Sequence, residues 1–375
     1  MLPWPYAPHF AADPRGSISP GVAQGTLRRG WTTGACAAAA AKAAFAALRT
    51  GAFPDPVDIP LPGGAARAAF ALAEAALAPG SATVGVVKDA GDDPDVTHGA
   101  LVRVTLRPRA AGAGLRFLAG EGVGTVTLPG LPLPPGEPAI NPGPRAMILA
   151  ALSEVAEAPD LDVEVAIPGG ARIALGTMNA RLGILGGLSV LGTTGIVVPY
   201  SCASWIHSIH RGVDVARAAG LHHLAGATGS TSEAAVARLH ALPERALIDM
   251  GDFAGGLLKY LRAHPVPRVT VAGGVAKMTK LAQGRLDLHS RRGPADLDAL
   301  AALCRAEGGP DALAGRIAAS NTVLEAFSHA AEAERPLGEA VARAATRVAA
   351  GVLGPGTRAD VAVFDREGHL LASTG

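Results

Sequence analysis

The sequence predicts two domains, an α+β half followed by an α/β half, and two observations carry that prediction. After Gly195-Ile-Val-Val198, the stretches 221–226, 246–251 and 269–274 each run from an apolar strand through a glycine turn into a helix. Alternation of this kind predicts a parallel sheet with covering helices, Rossmann-like, with a ligand crevice at the carboxyl ends of its strands. Ahead of residue 160, short strand candidates mix with helices in no regular order, which reads as α+β. These readings set a loosely ordered tail at 1–26, an α+β domain with an acidic turn at 27–160 and an α/β domain at 161–375.

Taken in order, the opening Met1-Leu-Pro-Trp-Pro-Tyr-Ala-Pro-His-Phe10 lacks a basic start and a continuous apolar core, so it does not read as a signal peptide. Next, Leu27-Arg-Arg-Gly-Trp-Thr-Thr-Gly-Ala-Cys36 reads as a loop entering a helix over 35–48. Thr32 or Thr33 can cap that helix, Gly34 admits a ligand to the backbone, and the alanines that follow favour helix with little side-chain bulk. Free N–H groups at such an end attract anions, and Arg28 and Arg29 add positive charge there. An ordinary capped and packed helix is the competing reading, with Cys36 as a small buried filler. Strand candidates follow at 57–59, 84–87, 102–106 and 123–126, and a helix at 145–157. In the second half, Ser230 with Glu233 reads as a capping box, helices fall at 311–330 and 337–352, and a last strand at 360–364.

The densest chemistry lies in Lys88-Asp-Ala-Gly-Asp-Asp-Pro-Asp-Val-Thr-His98, directly after the β-branched stretch 81–87. Asp89, Asp92, Asp93 and Asp95 are expected to face a common space, where they raise one another's pKa values unless a cation, hydroxyl groups or Lys88 compensates them. A solvated loop is the alternative, and the spacing does not fit a calcium loop of the EF-hand kind. Gly187-Leu-Ser-Val-Leu-Gly192-Thr-Thr194 has the glycine spacing of a P-loop with threonine where the lysine belongs, so it lacks the charge that neutralises a triphosphate.

Composition narrows the partners. Lys plus Arg number 33 against 32 Asp plus Glu, so global charge makes no case for nucleic acid or a membrane surface. Three cysteines far apart make no CxxC and fit a reducing cytoplasm. Cys202, His207 and His210 lack a fourth ligand nearby, and no metal site is expected. No apolar run reaches the ~20 residues of a membrane span. Between 259 and 292, eight Lys and Arg residues oppose only Asp287, a surface suited to an anionic ligand or simply a solvated helix face.

Several long motifs, in order, carry a resemblance. They include Arg28-Arg-Gly-Trp-Thr-Thr-Gly-Ala-Cys36, the stretch Val87 to Gly99, Gly120-Glu-Gly-Val-Gly-Thr-Val126 and Gly136-Glu-Pro-Ala-Ile-Asn-Pro-Gly-Pro-Arg145. They continue through Asn179-Ala-Arg-Leu-Gly-Ile184, the stretch Gly186 to Ile196, Ala276-Lys-Met-Thr-Lys-Leu-Ala282 and His289-Ser290. From about Leu27 to the carboxyl terminus the chain resembles the CbiD family, the cobalt-precorrin-5B carbon-1 methyltransferases.

The resemblance implies methyl transfer from S-adenosylmethionine to carbon 1 of a cobalt-bearing tetrapyrrole in cobalamin biosynthesis. Under it Asp89, Asp92, His98 and Lys88 are the catalytic candidates. Asp93, Glu121, Gly186, Gly187, Thr193, Thr194 and Gly195 are expected at the methyl donor. Thr32, Thr33, Gly34, Asn141, Arg145, Asn179, Arg181, Lys277, Lys280, His289 and Ser290 are expected at the tetrapyrrole. A cytoplasmic enzyme is expected, with homo-oligomerisation and transient hand-off to other corrin-pathway enzymes as further expectations. The alternatives are a non-catalytic corrinoid carrier and a phosphate- or nucleotide-binding enzyme.

Overall fold

The computed structural model describes residues 27–375 except 65, 158 and 336, so the tail expected at 1–26 lies outside the described residues. The chain divides between Ser201 and Cys202 into two units.

The first unit runs β1 (Gly30–Trp31), α1 (Thr33–Thr50), β2 (Val57–Pro60), β3 (Arg67–Phe70), β4 (Glu74–Ala78), β5 (Ser81–Val87), β6 (Leu101–Pro108), β7 (Leu115–Ala119) and β8 (Thr125–Val126). It continues with α2 (Pro142–Ser153), β9 (Leu161–Ala166), α3 (Gly170–Ala174), β10 (Ile184–Leu185) and β11 (Ile196–Val197). Its main sheet has the order β4-β5-β6-β9-β7, antiparallel except where β7 meets β9. Helix α1 is buried along most of its length, with Ala35 through Ala41 all at 0% exposure, because methyl-sized side chains let it lie against β5, β6 and α2 at once. Cys36 belongs to that packing, and burial pushes its thiol up to about 12. A Cβ on Gly34 would lie 2.8 Å from Met147 and Pro144 of α2, so that glycine sets how closely the two helices approach.

The boundary read near residue 160 is corrected by this sheet. Strand β9 pairs with β6 from Arg103↔Ala166 to Pro108↔Leu161 and with β7 from Leu115↔Leu161, so the residues after 160 complete the first unit. Helix α2 starts at Pro142, whose fixed φ suits the first helical position, rather than at 145. Of the strand expected at 123–126, Thr125 and Val126 form a two-residue strand paired with β10, and Val123 makes only an isolated bridge to Leu188.

The second unit runs α4 (Cys202–Ala218), β12 (His223–Ala227), α5 (Ser230–His240), β13 (Leu247–Asp249), α6 (Ala254–Ala263), β14 (Arg268–Gly274) and α7 (Val275–Ala282). It closes with α8 (Leu297–Ala306), α9 (Asp311–Ala318), α10 (Val323–Glu332), α11 (Leu337–Leu353), β15 (Arg358–Phe364) and β16 (Leu370–Ser373). The sheet order is β13-β12-β14-β15-β16, with the first four strands parallel and β16 antiparallel at the edge. Leu224, Val269, Val271, Val361 and Val363 form its inner face against Leu257, Leu258 and Leu261 of α6 and Val341 and Ala345 of α11.

Two local expectations are corrected here. The cap of α5 is Gly229, and no side chain caps the helix, so Ser230 and Glu233 form no capping box. The helix expected over 311–330 is two helices, because Thr322 caps α10 by accepting the Glu325 N–H at 3.1 Å. Among the described residues no helix is long and apolar enough to cross a membrane.

Candidate functional site

The acidic turn joins β5 to β6 as the loop of an antiparallel hairpin, closed at its base by Lys88 N–H to Ala100 O at 2.9 Å and Gly99 N–H to Lys88 O at 2.8 Å. Its outer side is laid against the strand leading into α1. Trp31 N–H donates to Asp89 O at 2.7 Å, and Asp92 N–H donates to Arg28 O at 2.9 Å. Two glycines make this approach possible: a Cβ on Gly30 would lie 2.0 Å from the Ala90 carbonyl carbon, and one on Gly91 would lie 2.1 Å from Arg28 O.

The four carboxylates do not share one space, which corrects the expectation that they face one another. Asp89 takes both terminal nitrogens of Arg28 as well as the Gly91 N–H at 2.9 Å. Those bonds to Arg28, followed by the one from Gly91, hold its carboxyl down at about 2. Asp92 accepts the Arg28 backbone N–H at 2.6 Å, and Asp93 accepts the Tyr200 N–H at 2.7 Å. Asp95 accepts from Lys88 at 2.8 Å and from the Thr97 hydroxyl and N–H at 2.6 and 2.8 Å. Burial would raise the Asp95 pKa, yet the bonds from Lys88 and Thr97 outweigh it and lower it. Separate partners therefore stabilise four charges in one turn.

Lys88 sits beneath the turn at 1% exposure, with its ammonium directed to Asp95. That burial places it away from a ligand on the turn's surface. His98 is exposed, and its Nδ1 accepts the Ala90 N–H at 3.1 Å. A backbone N–H can only donate, so a neutral His98 carries its proton on Nε2 and presents a donor outward.

The glycine-rich stretch 183–195 is a loop from β10 to β11 with no helix after it, unlike a P-loop, so the geometry gives the phosphate reading no support. Much of it serves packing. Thr32 caps α1 by accepting the Ala35 N–H at 3.2 Å, and the Thr33 hydroxyl exchanges hydrogen bonds with Leu191 N–H and O. Gly34 N–H goes to Leu191 O at 3.1 Å and Thr32 N–H to Gly195 O at 3.0 Å. The helix end expected to take an anion thus spends its Gly34 and Ala35 donors inside the protein. Gly187 is buried, with no room for a Cβ beside Gly122 O, while Gly186, Thr193 and Thr194 are exposed.

The remaining expected residues of this unit are scattered. Asn141 precedes α2 without a side-chain cap bond. Arg145 donates to Glu137, Ile140 O and Pro138 O and lies 5.0 Å over the Phe117 ring, on the wall of an open groove of about 560 Å³. Asn179 braces the glycine loop through Gly187 O at 3.2 Å, with Arg181 half-buried in the same turn. Glu121 accepts the Gly169 N–H at 3.2 Å.

Lys277, Lys280, His289 and Ser290 come together in the second unit. Lys277 pairs with Asp252 and donates to Leu288 O at 3.1 Å. Lys280, at 6% exposure, donates to Leu288 O and His289 O at 3.2 and 3.4 Å, and burial followed by the Lys277 charge lowers its pKa. His289 accepts the Arg291 N–H at 3.0 Å, and Ser290 is exposed. Farther along the unit, His210 stacks on Tyr260 at 3.9 Å. Sequence reasoning did not reach the role of Arg28 as a clamp, or that of Tyr200. The only signal was the basic pair ahead of Gly30, whose partner lies 61 positions away.

Comparison with known proteins completes the site's context. Residues 21–199 match the CbiD family model, and residues 287–375 match that of the CbiD C-terminal domain. A Bradyrhizobium protein named cobalt-precorrin-5B C(1)-methyltransferase is 62% identical over 350 residues, covering 92% of this chain and 93% of that one. A protein of the same name from Methylorubrum extorquens is 62% identical over 354 residues, covering 93% and 98%. The crystal structure of a cobalamin biosynthesis protein (cbiD) from Archaeoglobus fulgidus is 24% identical, covers 76% of this chain and 85% of that one, and gives a TM-score of 0.38.

Proposed function

The chain belongs to the CbiD family, and from that premise we propose that it transfers a methyl group from S-adenosylmethionine to carbon 1 of cobalt-precorrin-5B, giving cobalt-precorrin-6A in corrin-ring biosynthesis. The observation that carries this reading is the likeness along nearly the whole chain to relatives of that name. Cobalt belongs to the substrate.

When bound, S-adenosylmethionine supplies an electrophilic methyl: the bond to carbon 1 forms with ring electrons, the methyl–sulfur bond breaks with its pair left on sulfur, and the macrocycle releases one proton. What falls to the protein is alignment, exclusion of water and stabilisation of the positive charge that appears on the ring. The acidic turn suits the last task. Asp92 and Asp93 each hold the turn with one carboxylate oxygen and keep a second outside those bonds. Asp89 is already neutralised by Arg28, so its part is to shape the turn. His98 offers its Nε2 proton as a hydrogen-bond donor to the ring or its side chains, and Lys88 acts as a positioning residue through Asp95.

The finer reading of the second unit as Rossmann-like rests on its parallel strand order and its strand–turn–helix crossovers. A cytoplasmic enzyme that hands its product on within the corrin pathway belongs to the same proposal.

The test is anaerobic incubation with cobalt-precorrin-5B and methyl-labelled S-adenosylmethionine, read by mass spectrometry and carbon NMR. One labelled methyl on carbon 1 with equimolar S-adenosylhomocysteine is the expected result. Tetrapyrrole binding with no label moved, on the metallated and metal-free rings alike, would leave a carrier instead.

A further inference from the structure

We propose that the tetrapyrrole lies on the aromatic face of Tyr200 beside the acidic turn, with the guanidinium of Arg29 holding a carboxylate of its rim. This rests on the methyl-transfer reading above and names residues that seat the substrate, all of them in the first unit.

Backbone conformation carries the first step. Ser201 N–H donates to Val198 O at 3.2 Å, closing a turn in which Pro199 is second and Tyr200 third. Tyr200 has φ 56°, at a position where such a turn ordinarily takes glycine or asparagine. Among the described residues two other non-glycine residues have positive φ, Ala241 and Glu334, and each stands at the carboxyl end of a helix, where the left-handed conformation finishes the helix. Tyr200 ends no helix. A bulky side chain in this region costs stability and persists where its surroundings fix it. Here Asp93 of the acidic turn fixes it by accepting the Tyr200 N–H at 2.7 Å.

The clamp displays the ring instead of burying it. Tyr200 is 63% exposed, and Val198 of the same turn and Val96 of the acidic turn are exposed as well. A tyrosine kept for packing covers its ring; this one uses a strained backbone and a carboxylate to hold the ring in solvent. Methyl transfer leaves positive charge on the macrocycle, and the face of an aromatic ring attracts positive charge. The Asp93 carboxylate, bonded to the Tyr200 backbone, adds a negative charge beside it.

Charge then selects the occupant. Strand β11 runs along β1 with Gly30 opposite Val197, so Arg29 and Val198 leave that short ladder at the same end. Arg28 is committed to Asp89. Arg29 is exposed, and among the described residues its guanidinium has no hydrogen-bond or ion-pair partner. An exposed apolar turn bordered by an uncommitted guanidinium fits a flat, largely apolar ring with carboxylates at its edge. A corrin precursor carries acetate and propionate groups there, and a guanidinium can take a carboxylate with two parallel hydrogen bonds.

The experiment is absorption titration of the full-length protein with cobalt-precorrin-5B, with a thermal melt of each variant. Tyr200→Gly keeps the N–H that Asp93 holds and relaxes the backbone, so its melting temperature should not fall, while the tetrapyrrole Kd rises about tenfold to a hundredfold, the scale of stacking on an aromatic side chain. Tyr200→Phe should bind within a factor of about two of wild type, because the ring face is what acts. Arg29→Met should raise the Kd about tenfold to a hundredfold, the scale of a hydrogen bond between charged groups, and Arg29→Lys should recover part of it. Wild-type affinity in Tyr200→Gly or in Arg29→Met overturns this seat, as does a Tyr200→Gly that melts several degrees lower, since the ring then serves the fold; the methyl-transfer reading stands in each case. A wild type that binds the ring and moves no label overturns the methyl-transfer reading, and a Kd raised in both variants would then still support the seat, in a carrier.

Discussion

Arg28 grips both carboxylate oxygens of Asp89 with its guanidinium, while its backbone gives an N–H to Asp92 and accepts one back. One residue thus ties two acids of the turn to the strand entering α1. The pair is solvent-exposed, so its worth lies in geometry more than in folding energy. An isolated carboxylate at the tip of a hairpin would swing with the loop; here the loop is held at both the side chain and the backbone.

Arg28→Met is therefore expected to lower kcat/KM on the order of tenfold to a hundredfold, the cost of a small misplacement of reacting groups, while moving the unfolding midpoint little. Steady-state kinetics beside a thermal melt check this, and a kcat/KM within a factor of about two of wild type would count against the turn's part in catalysis. Because Asp89 is held at about 2, the wild-type activity profile should show no limb from this group above about pH 3.

Lys88→Met should behave in the opposite manner. The substitution fits the buried volume but leaves the partly buried Asp95 without its cation, a loss on the order of 3 kcal/mol. Urea unfolding measures it, and adding Asp95→Asn in the same background should return part of the loss, since a neutral amide needs no counter-charge. Asp95 has a depressed pKa in the folded protein, so the wild-type contribution is present above the ordinary carboxylate range and fades as pH falls through it. No destabilisation in Lys88→Met would refute its positioning role.

The legible parts of this chain are those whose signal is local. The alanine run of α1, the hairpin strand β5 and the strand–turn–helix units at β12, β13 and β14 all announce themselves over a few residues. What stayed hidden depends on partners distant in sequence. Strand β9 is a short alternating stretch whose membership in the first sheet is decided by pairing with Arg103 to Pro108. The acidic turn is visible as chemistry, but which oxygen each acid spends is set by Arg28, Lys88 and Tyr200. Likewise, the glycines at 187 and 195 look like a ligand loop and prove to be sites of tight backbone packing, whereas Gly229 opens onto free space.

His223 gives a prediction with a definite sign. Its Nε2 lies 2.8 Å from the buried Thr270 hydroxyl, and burial, followed by the nearby Arg268 charge, pushes it down to about 4. The unfolded chain takes up this proton near pH 6.5 and the folded protein only near 4, so stability falls as pH drops through that window. Discounted for partial exposure, the loss is about 1–2 kcal/mol. His240, with its ring centre 4.8 Å away, is lowered as well, chiefly by burial. Chemical denaturation at pH 7.5 and pH 5 should show a smaller difference in a His223→Gln, His240→Gln double variant than in wild type, and an equal difference would remove the assignment.

The basic residues Lys277 and Lys280 invite a substrate reading that their contacts argue against. Both ammonium groups point inward, to Asp252 and to the carbonyls of Leu288 and His289, and Leu288 N–H donates to Asp252 O at 2.8 Å. Together they fasten the loop after α7 to the turn before α6. Holding a buried ammonium costs desolvation, visible in the lowered Lys280 pKa, and the carbonyl bonds offset it. Lys280→Met removes both the charge and its bonds, so the expected loss is about 1–2 kcal/mol, or a fall of roughly 2–8 °C in Tm for a unit of this size. The KM for the tetrapyrrole should stay within a factor of about two, because no atom that meets solvent has changed its charge pattern greatly. An unchanged Tm with a KM raised about tenfold would reverse the conclusion and return Lys280 to the substrate.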